Sequence, residues 1–406
     1  MRDSTENKPR ILYLTKVLPY PPAVSGDSVY SRGIIESWST LAELTVLCAE
    51  SGADRQLATS GVKWRIAGNV RDGRARSVLS KFPLIAWKGA TSEFRTELDV
   101  LLASGNWDAI VLDNIGMAHA LPRVQKYRKL HPKVKLVYIS HEWEYSTRAS
   151  KYRAYDISLA VRLVAQLDLR KVKRWEKALI VKSDIVTVIT EADLAPFRMI
   201  DPARKYLLIS PGYSETIVES RRITGETPKR ILLLGGRRNE QKQQVLLDWL
   251  SSAYKPLTEA GIEITVAGDI SIELRDYVVG KYPQVNVMGY VEDLVKLVEG
   301  ARAGVIADTI GGGFKLRLLS HVFHRLPIIG LTDAIIGLPT PEGKGYLAVP
   351  TLSELSKLIC EVIDDVDTLD ELQNRAFHDC ARAFSWQERA DTLTKAIGGR
   401  DTTRLM

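Results

Sequence analysis

Short apolar runs recur along the chain, and longer segments with helical spacing separate each run from the next. Runs of about four to eight apolar residues are typical of strands that are buried on both faces of a parallel sheet. In the first half of the chain they cover residues 11–15, 44–49, 64–67, 108–113, 134–139, 185–189 and 205–210. Because these strands alternate with helices, the pattern predicts a doubly wound α/β domain.

The pattern restarts after residues 225–229, which have the composition of a linker. Further apolar runs follow at residues 230–235, 262–267, 285–288, 303–307 and 326–330. A chain of 406 residues is also too long for one ordinary core. We therefore expect two Rossmann-like domains, residues 1–211 and 212–383, whose strand ends line a cleft. An amphipathic helix and a loose tail are expected in residues 384–406.

The composition limits where the protein works. No apolar run approaches the ~20 residues that a membrane-spanning helix needs, and the run at residues 11–14 is too short for a signal peptide. The three cysteines have no metal-binding spacing, and so sparse and odd a number suits a reducing compartment. We therefore expect a cytoplasmic protein, either free or at the inner face of the membrane.

The net charge of +7 favours anionic partners. Basic residues are concentrated in residues 121–135 and 148–177, where an ordinary solvated helix face is the alternative explanation. Residues 71–88 mix arginines with apolar side chains, which fits either a peripheral membrane contact or a helix pair packed on its own domain. No nucleic-acid recognition motif accompanies this charge, so we expect no nucleic-acid partner.

A glycine turn in the second half has the features of a phosphate site. The apolar run 303–307 is followed by Gly311, Gly312 and Gly313, and Lys315 then precedes a helical pattern. Glycines let the backbone approach a ligand closely, and the first N–H groups of a helix attract an anion. A lysine at a helix start opposes the helix dipole, so a bound anion would explain its placement.

Two polar clusters in the first half follow predicted strands. His141 and Glu142 follow the apolar run 134–139, and Glu144 is the nearest alternative acid. Either His141 or Glu142 can accept a proton near neutral pH if its pKa is tuned by its surroundings. Gly26 and Asp27 follow a proline-rich loop and fit either a backbone contact with an anion or a plain turn before a helix.

The second half resembles the donor domain of GT-B glycosyltransferases, in particular glycosyltransferase family 4. The segments that carry the resemblance are residues 233–237 with Lys242, 266–269, 287–291 and 311–329. The first half resembles the family more loosely, at Pro21, Pro22, Gly26, Asp27, residues 168–190 and the final helix from 384. The resemblance implies a GT-B fold in which that final helix crosses back to the first domain.

One departure from the family lies in the phosphate segment. Gly312 and Ser320 stand where the family usually has two glutamates, the second of which holds the nucleotide ribose. The hydroxyl of Ser320 can still hydrogen-bond a sugar. The sequence here resembles the related branch of bacterial glucuronosyltransferases, in which a lysine follows small residues at this turn. The choice between a UDP-linked and a GDP-linked donor therefore stays open.

The resemblance also implies a role for each candidate residue. The donor diphosphate would be held by Arg237, Lys242, Lys315 and the three glycines, with Arg238 as the alternative to Arg237. The segment at Tyr290 and Val291 would read the nucleotide base. The resemblance also implies that neither a metal nor another cofactor is needed, which agrees with the lack of an Asp-x-Asp pair at a plausible strand end. Fixed positive groups would then stabilise the leaving group.

In the first half, the resemblance implies that Glu142 is the base and that His141 contacts the donor sugar or phosphate. Whether the reaction retains or inverts the anomeric configuration stays open. The acceptor would be a glycan, a lipid-linked sugar or a small molecule, with polysaccharide or lipid-linked oligosaccharide assembly favoured over natural-product glycosylation. A GT-B-fold sugar-nucleotide epimerase and a non-catalytic partner protein are the alternatives to a transferase.

Overall fold

A computed structural model describes residues 8–21, 25–154, 158–310 and 314–399. The chain divides after Gly212 and again after Phe384 into two compact units. Unit 1 contains the chain before Tyr213 and the segment from Ser385 onward, whereas unit 2 contains residues 213–384. Unit 1 is therefore discontinuous in sequence, and unit 2 is continuous.

Each unit is built on one sheet, and every pair of neighbouring strands is parallel. The strands of unit 1 are β1 (Arg10–Val17), β2 (Glu43–Glu50), β3 (Lys63–Asn69), β4 (Ala109–Asp113), β5 (Lys135–Ile139), β6 (Ile185–Val188) and β7 (Leu207–Leu208). Those of unit 2 are β8 (Arg230–Leu234), β9 (Glu263–Ala267), β10 (Val285–Gly289), β11 (Ala303–Ile306), β12 (Ile328–Leu331) and β13 (Leu347–Val349).

Helices connect the strands in both units. They are α1 (Gly26–Ser39), α2 (Leu84–Gly89), α3 (Ser92–Ser104), α4 (Leu121–Leu130), α5 (Glu144–Ala154), α6 (Leu159–Lys182), α7 (Leu194–Ile200), α8 (Glu240–Glu259), α9 (Ile272–Lys281), α10 (Leu294–Glu299), α11 (Arg317–Phe323), α12 (Leu352–Val362), α13 (Val366–Cys380) and α14 (Trp386–Ile397). None of the helices within the described residues is long and apolar enough to cross a membrane.

The strand order places a crevice at the same point of each sheet. In unit 1 the order is β3-β2-β1-β4-β5-β6-β7, and in unit 2 it is β10-β9-β8-β11-β12-β13. The order reverses direction between β1 and β4 in the first sheet and between β8 and β11 in the second. In open parallel sheets, ligands bind beyond the carboxyl ends of the strands at such a reversal. These two edges are therefore the places to look for a site.

The expected fold class is confirmed. Apolar runs formed the strands because a parallel sheet covered by helices buries both faces, as in β4, all of whose residues are buried. The edge strand β13 was not predicted, because its apolar run of three residues is shorter than the runs taken as strands and is only partly buried. The last apolar run of unit 1, residues 205–210, contributes only the two-residue strand β7.

One expectation about local structure needs correction, and one open alternative is decided. The helical pattern after the glycine turn was expected to begin beside Lys315, but α11 begins at Arg317, so Lys315 lies ahead of the helix. Residues 71–88 pack on their own unit, as the second of the two interpretations requires. Phe82 is buried there, and the indole N–H of Trp175 in α6 donates to the carbonyl oxygen of Lys81 at 2.8 Å.

Helix α14 completes unit 1 by packing on α1. The ring of Trp386 lies so close to Gly33 and Gly212 that a Cβ atom on either glycine would come within 2.2 to 2.4 Å of it. The indole N–H of Trp38 donates to the hydroxyl of Thr394 at 2.9 Å. Both glycines are therefore required for this contact, and α14 is an integral part of the unit.

Candidate active site

A buried carboxylate lies at the crevice of the first sheet. Asp113 ends β4 and is fully buried. One of its oxygens lies 2.6 Å from Nε2 of His141, which follows the neighbouring strand β5. The other oxygen accepts hydrogen bonds from the hydroxyls of Thr15 on β1, at 2.8 Å, and Ser31 on α1, at 2.6 Å. Because buried charges must be paired, these contacts fix the carboxylate and orient the imidazole.

The second nitrogen of His141 points to another carboxylate. Nδ1 lies 3.6 Å from Oδ1 of Asp27, the second residue of α1, which is too long for a direct hydrogen bond. The edge of the Tyr30 ring packs against the imidazole, with the ring centroids 4.9 Å apart. Burial lowers the pKa of His141, but Asp113 and Asp27 outweigh it and raise the pKa to about 10. His141 is therefore an imidazolium at neutral pH.

The backbone is strained directly after this carboxylate. Asn114 has a φ of 60°, a left-handed conformation that non-glycine residues rarely adopt. Its side-chain oxygen accepts the N–H of Gly116 at 2.6 Å and caps the turn that follows. Strain of this kind costs on the order of 1–3 kcal/mol and persists where the surroundings hold it in place. Here the strained residue connects the end of β4, which carries Asp113, to the turn of residues Ile115–His119.

Glu142 has the titration behaviour of a proton acceptor. Its side chain is partly buried, and burial together with the charges of Glu144 and Asp27 raises the pKa to about 7, against the opposing charge of Lys151. The hydroxyl of Ser140 donates to the carbonyl oxygen of Glu142 at 3.0 Å and holds this turn. A general base works best when its pKa lies near the working pH, and Glu142 meets this condition.

The alternative acid, Glu144, is already engaged. Its side chain is buried and accepts a hydrogen bond from Nε of Arg148 at 2.7 Å. Its backbone N–H donates to one oxygen of the buried Glu176, at 3.0 Å, and the N–H of Tyr145 donates to the other at 3.2 Å. Glu176 thus caps the start of α5, and Glu144 serves as the ion-pair partner of Arg148 rather than as an available base.

The crevice of the second sheet is formed by strand-end loops that approach closely. The N–H of Gly235 donates to the carbonyl of Ala267 at 2.9 Å, and that of Gly268 donates to the carbonyl of Gly289 at 2.6 Å. Gly268 has a φ of +136°, and a Cβ atom there would lie 2.4 Å from the carbonyl oxygen of Gly235. Only glycine fits this position, so the loops after β8, β9 and β10 form one connected edge.

Two guanidinium groups lie together beside this edge. Arg237 donates to the backbone carbonyls of Gly235 and Leu233. Arg317, at the start of α11, forms an ion pair with Asp308, which follows β11. Burial and the neighbouring Arg317 lower the pKa of Arg237 to about 9, and burial lowers the pKa of Arg317 to about 10. Within the described part of the chain, no carboxylate forms an ion pair with Arg237.

The structure distinguishes Arg237 from its alternative, Arg238. Arg238 is exposed and forms an ion pair with Asp269. Arg237 instead lines a small cavity together with Lys242, Asp308 and Arg317. Lys242 lies in the first turn of α8, where its backbone N–H donates to the capping side chain of Asn239 at 2.8 Å. The cavity is therefore lined by two residues that were expected to bind phosphate, Arg237 and Lys242, and by a third cation, Arg317, that was not expected.

The other expected donor residues of unit 2 are spread around this edge. Tyr290 is exposed just beyond β10, whereas Val291 is partly buried against a small apolar cluster. The ammonium nitrogen of Lys315 is buried, and Ser320 lies on α11, where its side chain interacts with the hydroxyl of Tyr213. Gly311, Gly312 and Gly313 lie outside the described residues.

The residues that orient His141 and flank Arg237 were not predicted from the sequence. Asp113, Thr15 and Ser31 orient His141, while Arg317 and Asp308 flank Arg237. Asp113 and Asp308 share one usable signal, because each is an acid directly after an apolar run that forms a central strand. No group of three or more His, Cys, Asp or Glu side chains within the described residues could hold a metal ion.

No protein-family model and no curated protein sequence matches the chain. Solved structures do match, and one is a sucrose-phosphate synthase from Thermosynechococcus elongatus that is 15% identical, with a TM-score of 0.69 over 97% of this chain and 99% of that one. The chain has the GT-B fold.

Two further glycosyltransferase structures match over nearly the whole chain. HepE from Anabaena, crystallised with UDP and glucose, is 13% identical, with a TM-score of 0.63 over 96% of this chain and 100% of its own. WaaG, a glycosyltransferase involved in lipopolysaccharide biosynthesis, is 13% identical, with a TM-score of 0.60 over the same shares of the two chains. At these identities the likeness establishes the shared GT-B fold and nothing finer.

Proposed function

We propose that the protein is a glycosyltransferase that moves a sugar from a nucleotide-diphosphate sugar to an acceptor hydroxyl without a metal ion. The observation that carries this proposal is the pair Arg237 and Arg317 at the crevice of the second sheet. Burial lowers the pKa of both guanidinium groups, the charge of Arg317 lowers that of Arg237 further, and Asp308 forms an ion pair with Arg317 alone. An anion between them would supply the missing negative charge.

A diphosphate is the anion that best fits this position. Guanidinium groups bind phosphate oxygens through paired hydrogen bonds, and the leaving nucleotide gains negative charge as the bond to the sugar breaks. Positive groups that are fixed before the reaction stabilise this charge without reorganisation. In our proposal Arg237, Arg317, Lys242 and Lys315 perform this role, and the segment of Tyr290 and Val291 contacts the base.

The first sheet would supply the acid–base chemistry. With a pKa near 7, Glu142 can take the proton of the acceptor hydroxyl at neutral pH. His141 is already protonated, so it donates hydrogen bonds to the donor sugar or phosphate instead of accepting a proton. Gly26 and Asp27 lie at the start of α1 beside this imidazolium.

The donor and acceptor can be proposed more narrowly. HepE was crystallised with UDP-glucose as well as with UDP, and WaaG takes part in lipopolysaccharide biosynthesis. By this likeness we favour a UDP-linked donor over a GDP-linked one, and an acceptor in polysaccharide or lipid-linked oligosaccharide assembly. We place the reaction in the cytoplasm because Cys48, Cys360 and Cys380 are all unbridged.

The test is calorimetric titration of UDP and GDP into the wild type, Arg237→Ala and Arg238→Ala. Charge-assisted hydrogen bonds contribute about 1.5–3 kcal/mol, so Arg237→Ala should weaken nucleotide binding by roughly 10-fold to 150-fold. Arg238→Ala removes a neighbouring charge that points elsewhere and is the matched control. Binding that is equally weakened in both variants, or absent from the wild type, would refute the donor site and favour a non-catalytic partner protein.

A further inference from the structure

A basic groove lies between α5 and α6 of unit 1, and none of the residues assigned to the reaction lines it. It has a volume of about 670 Å³, which is in the range of ligand-binding pockets. Its lining includes the rings of Tyr145 and Tyr152 and the side chains of Arg153, Arg162, Arg170 and Lys173, and it contains no acidic residue. Four of these side chains are cationic, so the groove is suited to an anion.

The cations of the groove are not neutralised by neighbouring acids. Within the described residues, Arg153, Arg162 and Arg170 take part in no ion pair. The ammonium group of Lys173 lies over the ring of Tyr145, 5.4 Å from its centroid. Asp168, the nearby acid on α6, accepts hydrogen bonds from the backbone N–H of Leu84 at 2.7 Å and from the hydroxyl of the lining residue Tyr152 at 3.2 Å. Asp168 is buried and is therefore held by these two donors, and it forms no ion pair with Arg153, Arg162 or Arg170 within the described residues.

An exposed leucine stripe flanks the groove. Leu159, Leu163 and Leu167 are 77%, 64% and 43% exposed, and Val164 beside them is also exposed. Residues four apart lie on one face of a helix, so the three leucines form a continuous row along the first half of α6. The polar residues Arg162, Gln166 and Arg170 repeat with the same spacing, so a polar row and an apolar row run side by side.

We infer that the groove between α5 and α6 binds the phosphate head group of an anionic membrane lipid, with the leucine stripe against the acyl chains. A free phosphate would use the arginines but would leave the leucine stripe in water. A lipid satisfies both features, because basic residues near an anionic surface and apolar burial act together. This inference does not depend on the proposed transfer reaction, and it locates the membrane contact on α6 rather than on residues 71–88.

The test is co-sedimentation of the full chain with vesicles of phosphatidylcholine, with and without phosphatidylglycerol. Each basic residue near an anionic surface contributes about a fivefold gain in binding. The variant Arg162→Gln/Arg170→Gln should therefore bind phosphatidylglycerol vesicles roughly 25-fold more weakly. The matched control Lys126→Gln/Lys129→Gln removes two exposed charges from α4 of the same unit and should lose much less.

The apolar row needs its own variant. Leu163→Ser/Leu167→Ser should weaken vesicle binding at least about tenfold, whereas Leu79→Ser, which changes a 94% exposed leucine in residues 71–88, should not. Circular dichroism and thermal melting verify that each variant is folded. Equal losses in test and control variants, or no preference for phosphatidylglycerol, would overturn the inference. So would release of the protein by inorganic phosphate at the lipid-phosphate concentration, which would indicate a free-anion site.

Discussion

Replacing Asp113 by asparagine is expected to bring the titration of His141 down into the range near neutral pH. The pKa of His141 is about 10, whereas an unconstrained histidine has a pKa of about 6.5. The difference corresponds to about 5 kcal/mol in favour of the imidazolium. Because burial alone lowers this pKa, the two neighbouring carboxylates must supply all of that preference.

Asp113 should supply most of it. It is fully buried and lies 2.6 Å from the imidazole, whereas the side chain of Asp27 is 64% exposed and lies 3.6 Å away. Solvent weakens interactions of exposed charges, so we expect Asp113→Asn to lower the pKa of His141 by about 2 to 3 pH units. Asparagine keeps the size of the side chain and an oxygen for Thr15 or Ser31, so the change is mainly one of charge.

The sign of the effect on stability follows from the raised pKa. In the wild type, the protonated pair stabilises the folded state fully below about pH 6.5 and loses this contribution as the pH rises towards about 10. In Asp113→Asn the loss should occur at about pH 7 to 8. Urea unfolding at several pH values measures the change.

The direct assay is the ¹³Cε1 resonance of His141, assigned by its absence from His141→Gln and followed from pH 5 to pH 11. The control Ser31→Ala removes a neutral hydrogen bond from the same carboxylate and should leave the pKa of His141 far above its ordinary value. If His141 titrates near 6.5 in the wild type, or keeps its high pKa in Asp113→Asn, the assignment of the imidazolium to this carboxylate is wrong.

Two further changes test other parts of the structure. Glu142→Gln should lower kcat by a factor of about 10² to 10⁴. In the wild type, kcat should fall as the pH drops through about 7, where Glu142 becomes protonated. If Glu142→Gln keeps the pH profile of the wild type, Glu142 is not the base. Gly268→Ala should destabilise unit 2 by roughly 2 kcal/mol or more, because the new Cβ meets the carbonyl of Gly235 at 2.4 Å and φ is +136°. Gly280→Ala, in α9 with no atom within 4 Å of the new Cβ, should be neutral or stabilising by about 0.5–1 kcal/mol. Calorimetry measures the melting temperature of both variants. A Gly268→Ala variant that melts at the wild-type temperature would contradict this reasoning.

Much of the fold could be predicted from sequence because burial leaves a direct mark on composition. Strands covered on both faces need apolar residues throughout, so β4, β5 and β8 were visible as runs. The edge strand β13 is also apolar, but it has only three residues and is only partly buried, so its run was too short to indicate a strand. The start of α11 could not be placed to the residue, because Leu316 fits a helical pattern but serves as its cap.

The candidate site was less predictable because it depends on which strands are neighbours. His141 and Glu142 were found as polar residues directly after an apolar run. Asp113 had the same signal, but its role appears only when β4 pairs with β5 and its carboxylate meets the imidazole. Likewise, Arg317 belongs to the predicted phosphate segment, but its proximity to Arg237 arises only when the two segments meet at the crevice of the second sheet.

The packing of Trp386 on Gly33 and Gly212 affects how the chain folds during its synthesis. Helix α14 follows all of unit 2 in the chain but completes unit 1. On the ribosome, unit 2 can therefore reach its final form while unit 1, although synthesised first, still lacks a helix. Until α14 has been synthesised, the surface at Gly33 and Gly212 and the indole of Trp38 stay exposed to water. Nascent chains paused within unit 2 should thus be the form of this protein that chaperones bind best.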